Sequence, residues 1–182
     1  MEPFETERLL VRQFCSSDGD DCFAFNGNEQ VVKFIRPAKT REESDAFLLE
    51  NLDLYLEGFP YGRMHVSEKG TGNFVGTFSL LYLDGEADYH IGYGLIPSAW
   101  GKGYGAELVH YGTAIFFART THAALFAITD PDNIASEKLL YNYGYQLDGT
   151  YDSHGKLLNL FKMNRADFLE KWGHASALAA YS

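Results

Sequence analysis

Residues 96–112 read IPSAWGKGYGAELVHYG, with Gly101, Gly103 and Gly105 inside five positions and an apolar helical pattern directly after them. Successive glycines let backbone N–H groups converge on one point, and a helix start adds roughly half a positive charge. Lys102 adds a full one. A pyrophosphate suits such a nest; the plain alternative is an ordinary turn before an empty helix N-terminus. The Gly-x4-Gly-Lys-Ser/Thr spacing of a triphosphate-binding loop is absent. Gly101-x-Gly103-x-x-Ala106 does match a relaxed dinucleotide fingerprint, with Asp130 placed near where a ribose-binding acid belongs.

Three features oppose the dinucleotide reading. Five residues, Ile96 to Trp100, separate the preceding strand pattern from the first glycine, where the fingerprint needs a tight turn. That strand carries Asp88, His90, Gly92 and Gly94 at alternate positions, unlike a strand buried on both faces. Much antiparallel pattern comes before it, and too little chain follows to complete a doubly wound sheet. Gly92 and Gly94 point another way, because glycines inside a strand often mark close approach of a second backbone or a ligand.

The elements that must position this turn follow from periodicity and punctuation. ERLLVRQF (7–14) reads as a strand, and Asp18 is placed to cap a short helix through DDCFAFNGN. TREESDAFLLENLDLYLEG (40–58) reads as a helix, with Thr40 and Glu43 at capping-box spacing. Residues 61–83 read as two strands around KGTGN, and 87–95 as another. A helix over 103–119 leads to a strand at 123–129, and a second helix over 132–144 stops at Gly144. YQLDGTY and KLLNLFKM close as two strands, followed by a short helix at RADFLEKW. The expected class is α+β: a mixed, mostly antiparallel sheet flanked by helices, with one βαβ crossover whose strands run parallel. Residues 1–172 are expected to form one domain, and 173–182 a loose tail.

Composition narrows the function classes. A net charge of −10 argues against a nucleic-acid binder and favours, mildly, cationic partners such as amines. Hydrophobic residues at 46% suffice for a full core. Cys15 and Cys22 are expected as reduced, buried thiols, and the histidines show no metal-ligand spacing, so no metal is expected. The N-terminus lacks an apolar signal core and no run is long enough to span a membrane, so a cytoplasmic protein is expected.

HIGYGLIPSAWGKGYGAE resembles the acetyl-CoA-binding segment of the GNAT N-acetyltransferase superfamily, in the manner of its RimJ/RimL-type branch. ETERLLVRQF resembles that branch's opening strand, and DNIASEKLLYNYGYQLDG its second half. The resemblance runs in order over about residues 5–170. It implies that coenzyme A supplies the pyrophosphate, held by backbone amides of Gly101, Lys102, Gly103, Tyr104, Gly105 and Ala106. The two crossover strands would splay, and the pantetheine arm would run along the strand edge at Gly94, Leu95 and Ile96. Asn133 and Ser136 would face it from the next helix. Trp100 stands where the superfamily has Gln or Arg, Tyr145 where Phe is more usual, and Leu140 where a general-acid tyrosine is frequent. Tyr141 does not inherit that role, since one residue turns a helix by about 100°.

Acetyl transfer from a thioester to an amine needs a neutral amine, donors for the carbonyl oxygen, and a hydrogen bond or proton for the leaving sulfur. His90 is the candidate base, with an unperturbed pKa of about 6.5, and Asp88 could orient it or act instead. Ser136 is the candidate partner of the sulfur, and Asn133 of the pantetheine. Their plain readings are a first-turn serine bonding backbone and a helix cap. Glu107 reads as structural, and of the aromatics Tyr82, Tyr89 and Tyr93 could edge an acceptor pocket. The expected acceptor is a protein N-terminus or a small-molecule amine, and a homodimer is common in the branch. The loops around 27–40 and 58–62 and the hairpin 150–157 carry no recognisable chemistry that names it. A non-catalytic acyl-CoA sensor and an NAD(P)-binding oxidoreductase are the alternatives.

Overall fold

In β2 (Leu9–Gln13), Leu9 and Val11 are buried while Leu10 and Arg12 stay partly exposed. This is the period-two burial of a strand with one face on a core. The computed structural model describes residues 3–56, 62–83 and 88–173. They form two compact units, one from 1–81 with 93–105, the other from 82–92 with 106–182.

In the first unit, β1 (Phe4–Glu5), β2, β3 (Arg63–Glu68) and β4 (Phe74–Tyr82) pair antiparallel in sequence order. The turn between β3 and β4 carries Gly72 at φ 73°, left-handed as a glycine turn permits. Between β2 and β3 lie α1 (Gly19–Asn26), α2 (Glu29–Val32) and α3 (Arg41–Leu56). The α3 capping box is present: the Thr40 N–H donates to Glu43 Oε2 at 2.8 Å, and the Glu43 N–H to Thr40 Oγ1 at 3.2 Å. One face of α3 is buried at Ser44, Leu48 and Asn51. Leu48, Phe14 and Cys22 form a core cluster, against which Phe47, Leu52 and Phe74 pack.

The second unit takes the start of β5 (Tyr89–Leu95), most of α4 (Tyr104–Arg119), then β6 (Ala124–Thr129), α5 (Ile134–Tyr143), β7 (Gln146–Ser153), β8 (Lys156–Asn164) and α6 (Arg165–Trp172). β5 and β6 are parallel, pairing His90 with Phe126 and Ile91 with Ala127. This is the expected crossover through α4. β6 pairs antiparallel with β8, and β8 with β7, whose hairpin turns at His154 (φ 54°) and Gly155 (φ 85°). Two positive φ values in a two-residue loop match the twist of the strands. The mixed, mostly antiparallel sheet with flanking helices is the expected class.

Several local expectations change. Asp18 sits at the N-cap of α1, yet its side chain makes no cap bond. Its carboxylate instead accepts from Arg12 at 2.6 and 2.9 Å and from the Cys15 N–H at 2.8 Å. An ion pair with two parallel bonds outcompetes a single cap bond. Cys22 is buried, but Cys15 is exposed. β1 and α2, of two and four residues, were too short to show a period. Tyr145 is buried and finds a partner for its hydroxyl in Thr113 Oγ1 at 2.8 Å. The expected tail lies outside the described residues apart from Gly173.

Candidate active site

The glycine turn of the first unit is a braced loop. Gly101 (φ 73°) and Gly103 (φ 81°) both adopt the left-handed conformation that L side chains resist. A side chain on Gly101 would meet open space, so backbone conformation alone calls for glycine there. Ahead of it, a 3-10 turn over Pro97–Ala99 closes with the Ala99 N–H on Ile96 O (2.9 Å). Ile96 N–H donates to Val75 O at 3.0 Å, so both polar backbone groups of Ile96 are engaged inside the protein. Trp100, half exposed, donates its indole N–H to Leu95 O at 2.7 Å and ties the loop back to β5.

Two long-range side chains hold the far side of the loop. Arg8 donates to Lys102 O at 2.9 Å, and its guanidinium lies 4.7 Å from the centroid of the Tyr104 ring. Tyr104 is buried, and its hydroxyl donates to Glu68 Oε1. That bond, followed by one from Thr71, holds the Glu68 carboxyl below its ordinary range. The helix opens at Tyr104, where first-turn N–H groups have no intrahelical acceptor. First-turn N–H groups and the charge of Lys102 therefore share one loop, with the Arg8 guanidinium beside it. Gly94 has a packing reason of its own: a side chain there would sit 2.6 Å from the Phe25 ring, and one on Gly76 would strike Gly94 O.

In the second unit, Tyr89 and Ile91 point into the core, and His90 between them is half-buried on the other face. Asp88 precedes the strand, half-buried, with its carbonyl accepting from the Leu83 N–H at 2.9 Å. Asn133 caps α5, its Oδ1 accepting from the Ser136 N–H at 3.2 Å. The cap orients Asn133 and leaves Ser136, half-buried, in the first turn. Behind them Asn159 of β8 donates to Glu137 Oε1 at 2.5 Å, and Lys156 pairs with Asp130 at 2.7 Å. Leu140 is fully buried and carries no proton chemistry, while Tyr141 is half exposed with its ring edge-on to Phe161. Tyr89 is core, and Tyr82, more exposed, packs against it with tilted rings and centroids 4.2 Å apart.

The structure also groups residues whose spacing gave no signal. His65, buried in β3, places Nε2 at 2.9 Å from Asp21 Oδ2, with Asp18 near enough that the three could share a metal ion. Each carboxylate already has a partner, Arg12 for Asp18 and His65 for Asp21. Burial lowers the His65 pKa, which favours the neutral ring as the donor to Asp21. Burial alone would raise the Asp18 carboxyl, but the bonds from Arg12 and Cys15 outweigh it and bring it down to about 2. Arg8 escaped notice for a similar reason, since its partner lies 94 residues away.

Residues 8–146 match the family model for the acetyltransferase (GNAT) domain. The uncharacterized N-acetyltransferase YoaA of Bacillus subtilis (strain 168) is 28% identical over 153 residues, covering 80% of this chain and 83% of its own. The uncharacterized N-acetyltransferase p20 of Bacillus licheniformis is 28% identical over 168 residues, covering 88% and 94%. Among solved structures, RimL, the ribosomal L7/L12 alpha-N-protein acetyltransferase in complex with coenzyme A, shares the fold with a TM-score of 0.74 at 15% identity, over 90% of this chain and 98% of that one. One family model thus spans the opening strand, the glycine loop and the capped α5, and this chain belongs to the GNAT acetyltransferase family as an N-acetyltransferase.

Proposed function

We propose that the chain moves an acetyl group from acetyl-CoA to a primary amine by direct transfer, in the manner of the RimJ/RimL-type branch. The braced loop carries this reading: Gly101 and Gly103 turn left-handed, Lys102 is exposed, and Arg8 fixes the Lys102 carbonyl inward. Backbone donors of Gly101, Lys102, Gly103, Tyr104, Gly105 and Ala106 hold the pyrophosphate of coenzyme A. Gly94 and Leu95 offer the strand edge to the pantetheine arm, and Ile96, whose backbone groups are both engaged, contributes packing only. Asn133 and Ser136 complete the donor site.

Acetyl-CoA supplies a thioester carbonyl, and the chain supplies the proton handling. His90 accepts the amine's proton, directly or through water, and Asp88 orients the ring. A free α-amine, with a pKa of about 8, asks less of this base than a lysine at about 10.4. Ser136 donates a hydrogen bond to the departing sulfur, the role that buried Leu140 cannot fill. Acceptors are protein N-termini or small-molecule amines. No helix among the described residues is long and apolar enough to cross a membrane. The setting proposed is the cytoplasm. Residues 1–172 act as one domain, since each unit takes a segment that interrupts the other in sequence.

Calorimetry with coenzyme A, acetyl-CoA and NADH tests the reading. Both coenzyme A species bind and NADH does not. Thermal shift gives a parallel check, as a ligand at 100 times its Kd stabilises by about 2.7 kcal/mol. Absence of binding by either coenzyme A species rejects it.

A further inference from the structure

Three cations converge on one ring in the first unit. The guanidinium carbons of Arg36 and Arg63 lie 5.1 and 4.8 Å from the centroid of Phe47, and the Lys39 ammonium lies 5.3 Å from it. The chain has 25 acidic residues against 15 basic ones, so a carboxylate should be easy to find. Yet several acids of this unit are engaged elsewhere. Asp18 pairs with Arg12, Asp21 with His65, and Asp20 and Asp45 with Arg41. Glu50 acts on Arg63 through its field, without an ion pair among the described residues.

Neither arginine is an ordinary solvated surface charge. Arg36 Nε is buried without a hydrogen-bond partner, and its Nη2 donates to Asn26 Oδ1. Arg63 makes no side-chain hydrogen bond among the described residues, while Asn51 holds its carbonyl at 3.1 Å. Burial lowers both pKa values, and for Arg36 the Arg63 charge adds to the effect. Buried charges are normally paired, because an unpaired one is costly. A guanidinium fork matches a carboxylate with two parallel bonds.

We infer that Arg36, Lys39 and Arg63, gathered around Phe47, form a receptor for a carboxylate carried by the amine acceptor. Asn26 sets the geometry. It is buried, accepts from Arg36, and also accepts the Lys39 N–H on its backbone carbonyl at 2.9 Å. The residue before it, Phe25, fills the space beside Gly94 on the strand edge assigned to the donor. That placement rests on the proposed acetyl-CoA reading; the receptor itself does not. The acceptor class it selects is an amine with an acidic group close by, such as an amino acid or an acidic N-terminal peptide.

The test titrates the full chain with succinate, with inorganic phosphate and with coenzyme A by calorimetry, in wild type, Arg63→Gln and Arg36→Lys. Wild type binds succinate, Arg63→Gln weakens that at least tenfold, and Arg36→Lys keeps part of it. Coenzyme A affinity stays unchanged in both variants, which also reports that they fold. Without ligand, Arg63→Gln raises Tm by about 2–4 °C, because a half-buried charge without an ion pair among the described residues is removed. No succinate binding by wild type, equal binding by Arg63→Gln, or preference for phosphate overturns the inference. Failure of wild type to bind coenzyme A strikes the acetyl-CoA reading alone, because the succinate titration is independent of it.

Discussion

At the C-terminal end of α4, Arg165 donates to the carbonyls of Phe117, Thr120 and His122 at 2.5, 2.7 and 2.8 Å. Around Phe47, Arg36 has one hydrogen-bond partner, Asn26, and Arg63 has none for its side chain among the described residues. Both regions place guanidinium groups out of easy reach of water. Phe117 is among the last carbonyls of α4, which have no intrahelical donor, and Thr120 and His122 follow the helix, so a cation there completes the architecture. Donors left over among the described residues have no such role, and the inference above gives them a ligand as their complement. The proposed coenzyme site puts the glycine loop with the second kind, because the first N–H groups of its helix have no intrahelical acceptor.

The contrast is sharpest in stability. Arg165→Ala should lower the unfolding free energy by about 3 kcal/mol, since three carbonyls lose a charged donor at once. Urea unfolding measures it, and a change within about 0.5 kcal/mol, the usual scale for plain surface positions, would erase the distinction from Arg63→Gln, where stability should rise.

Asp18 is the next test, as an ion pair made inside the first unit. Its carboxyl titrates at about 2 when folded against 3.8 unfolded. Its contribution is therefore fully present above about pH 4 and disappears as pH falls towards 2, in line with linkage. Asp18→Asn should cost about 2 kcal/mol at pH 7 and flatten the acid limb of the stability curve.

Gly103→Ala probes the glycine loop. The left-handed backbone costs about 1 kcal/mol, and the new methyl would meet Arg8 Nη2 at 3.4 Å. Coenzyme A affinity should fall about tenfold, a loss of about 1.4 kcal/mol in binding. Equal affinity would move the loop into the structural class with Arg165.

The smallest effect belongs to His65. Its pKa lies below the ordinary 6.5 because burial disfavours the charged ring. On acidification the unfolded chain takes up the proton first, so this contribution is present above pH 6.5 and is lost as pH falls. Tm compared at pH 7 and pH 5 should drop less in His65→Gln than in wild type.

Much of the fold was legible because its signals are local. The capping box at Thr40, the cap at Asn133 and the αL stop at Gly144 each involve residues within four of one another. The glycine loop was legible for the same reason, as a left-handed φ is a demand on one residue. Asp18 misled because the cap rule ignores Arg12, which reaches it from the neighbouring strand. The cations of FIRPAK read as loop composition; an acid-poor basic group in an acid-rich chain was the available signal.

The sequence by itself determined the order of the longer elements, the caps at Thr40 and Asn133, the stop at Gly144 and the left-handed glycine turn, since these depend on dihedral preferences over a few residues. Only the tertiary structure decided which charges meet: Arg8 with Lys102, Asp21 with His65, Arg165 with the end of α4, and Arg36 with Arg63 around Phe47. Side chains many residues apart are brought together by the burial of apolar faces, which carries no information about polar partners. Whether a buried cation ends up satisfied or vacant is settled when those faces pack.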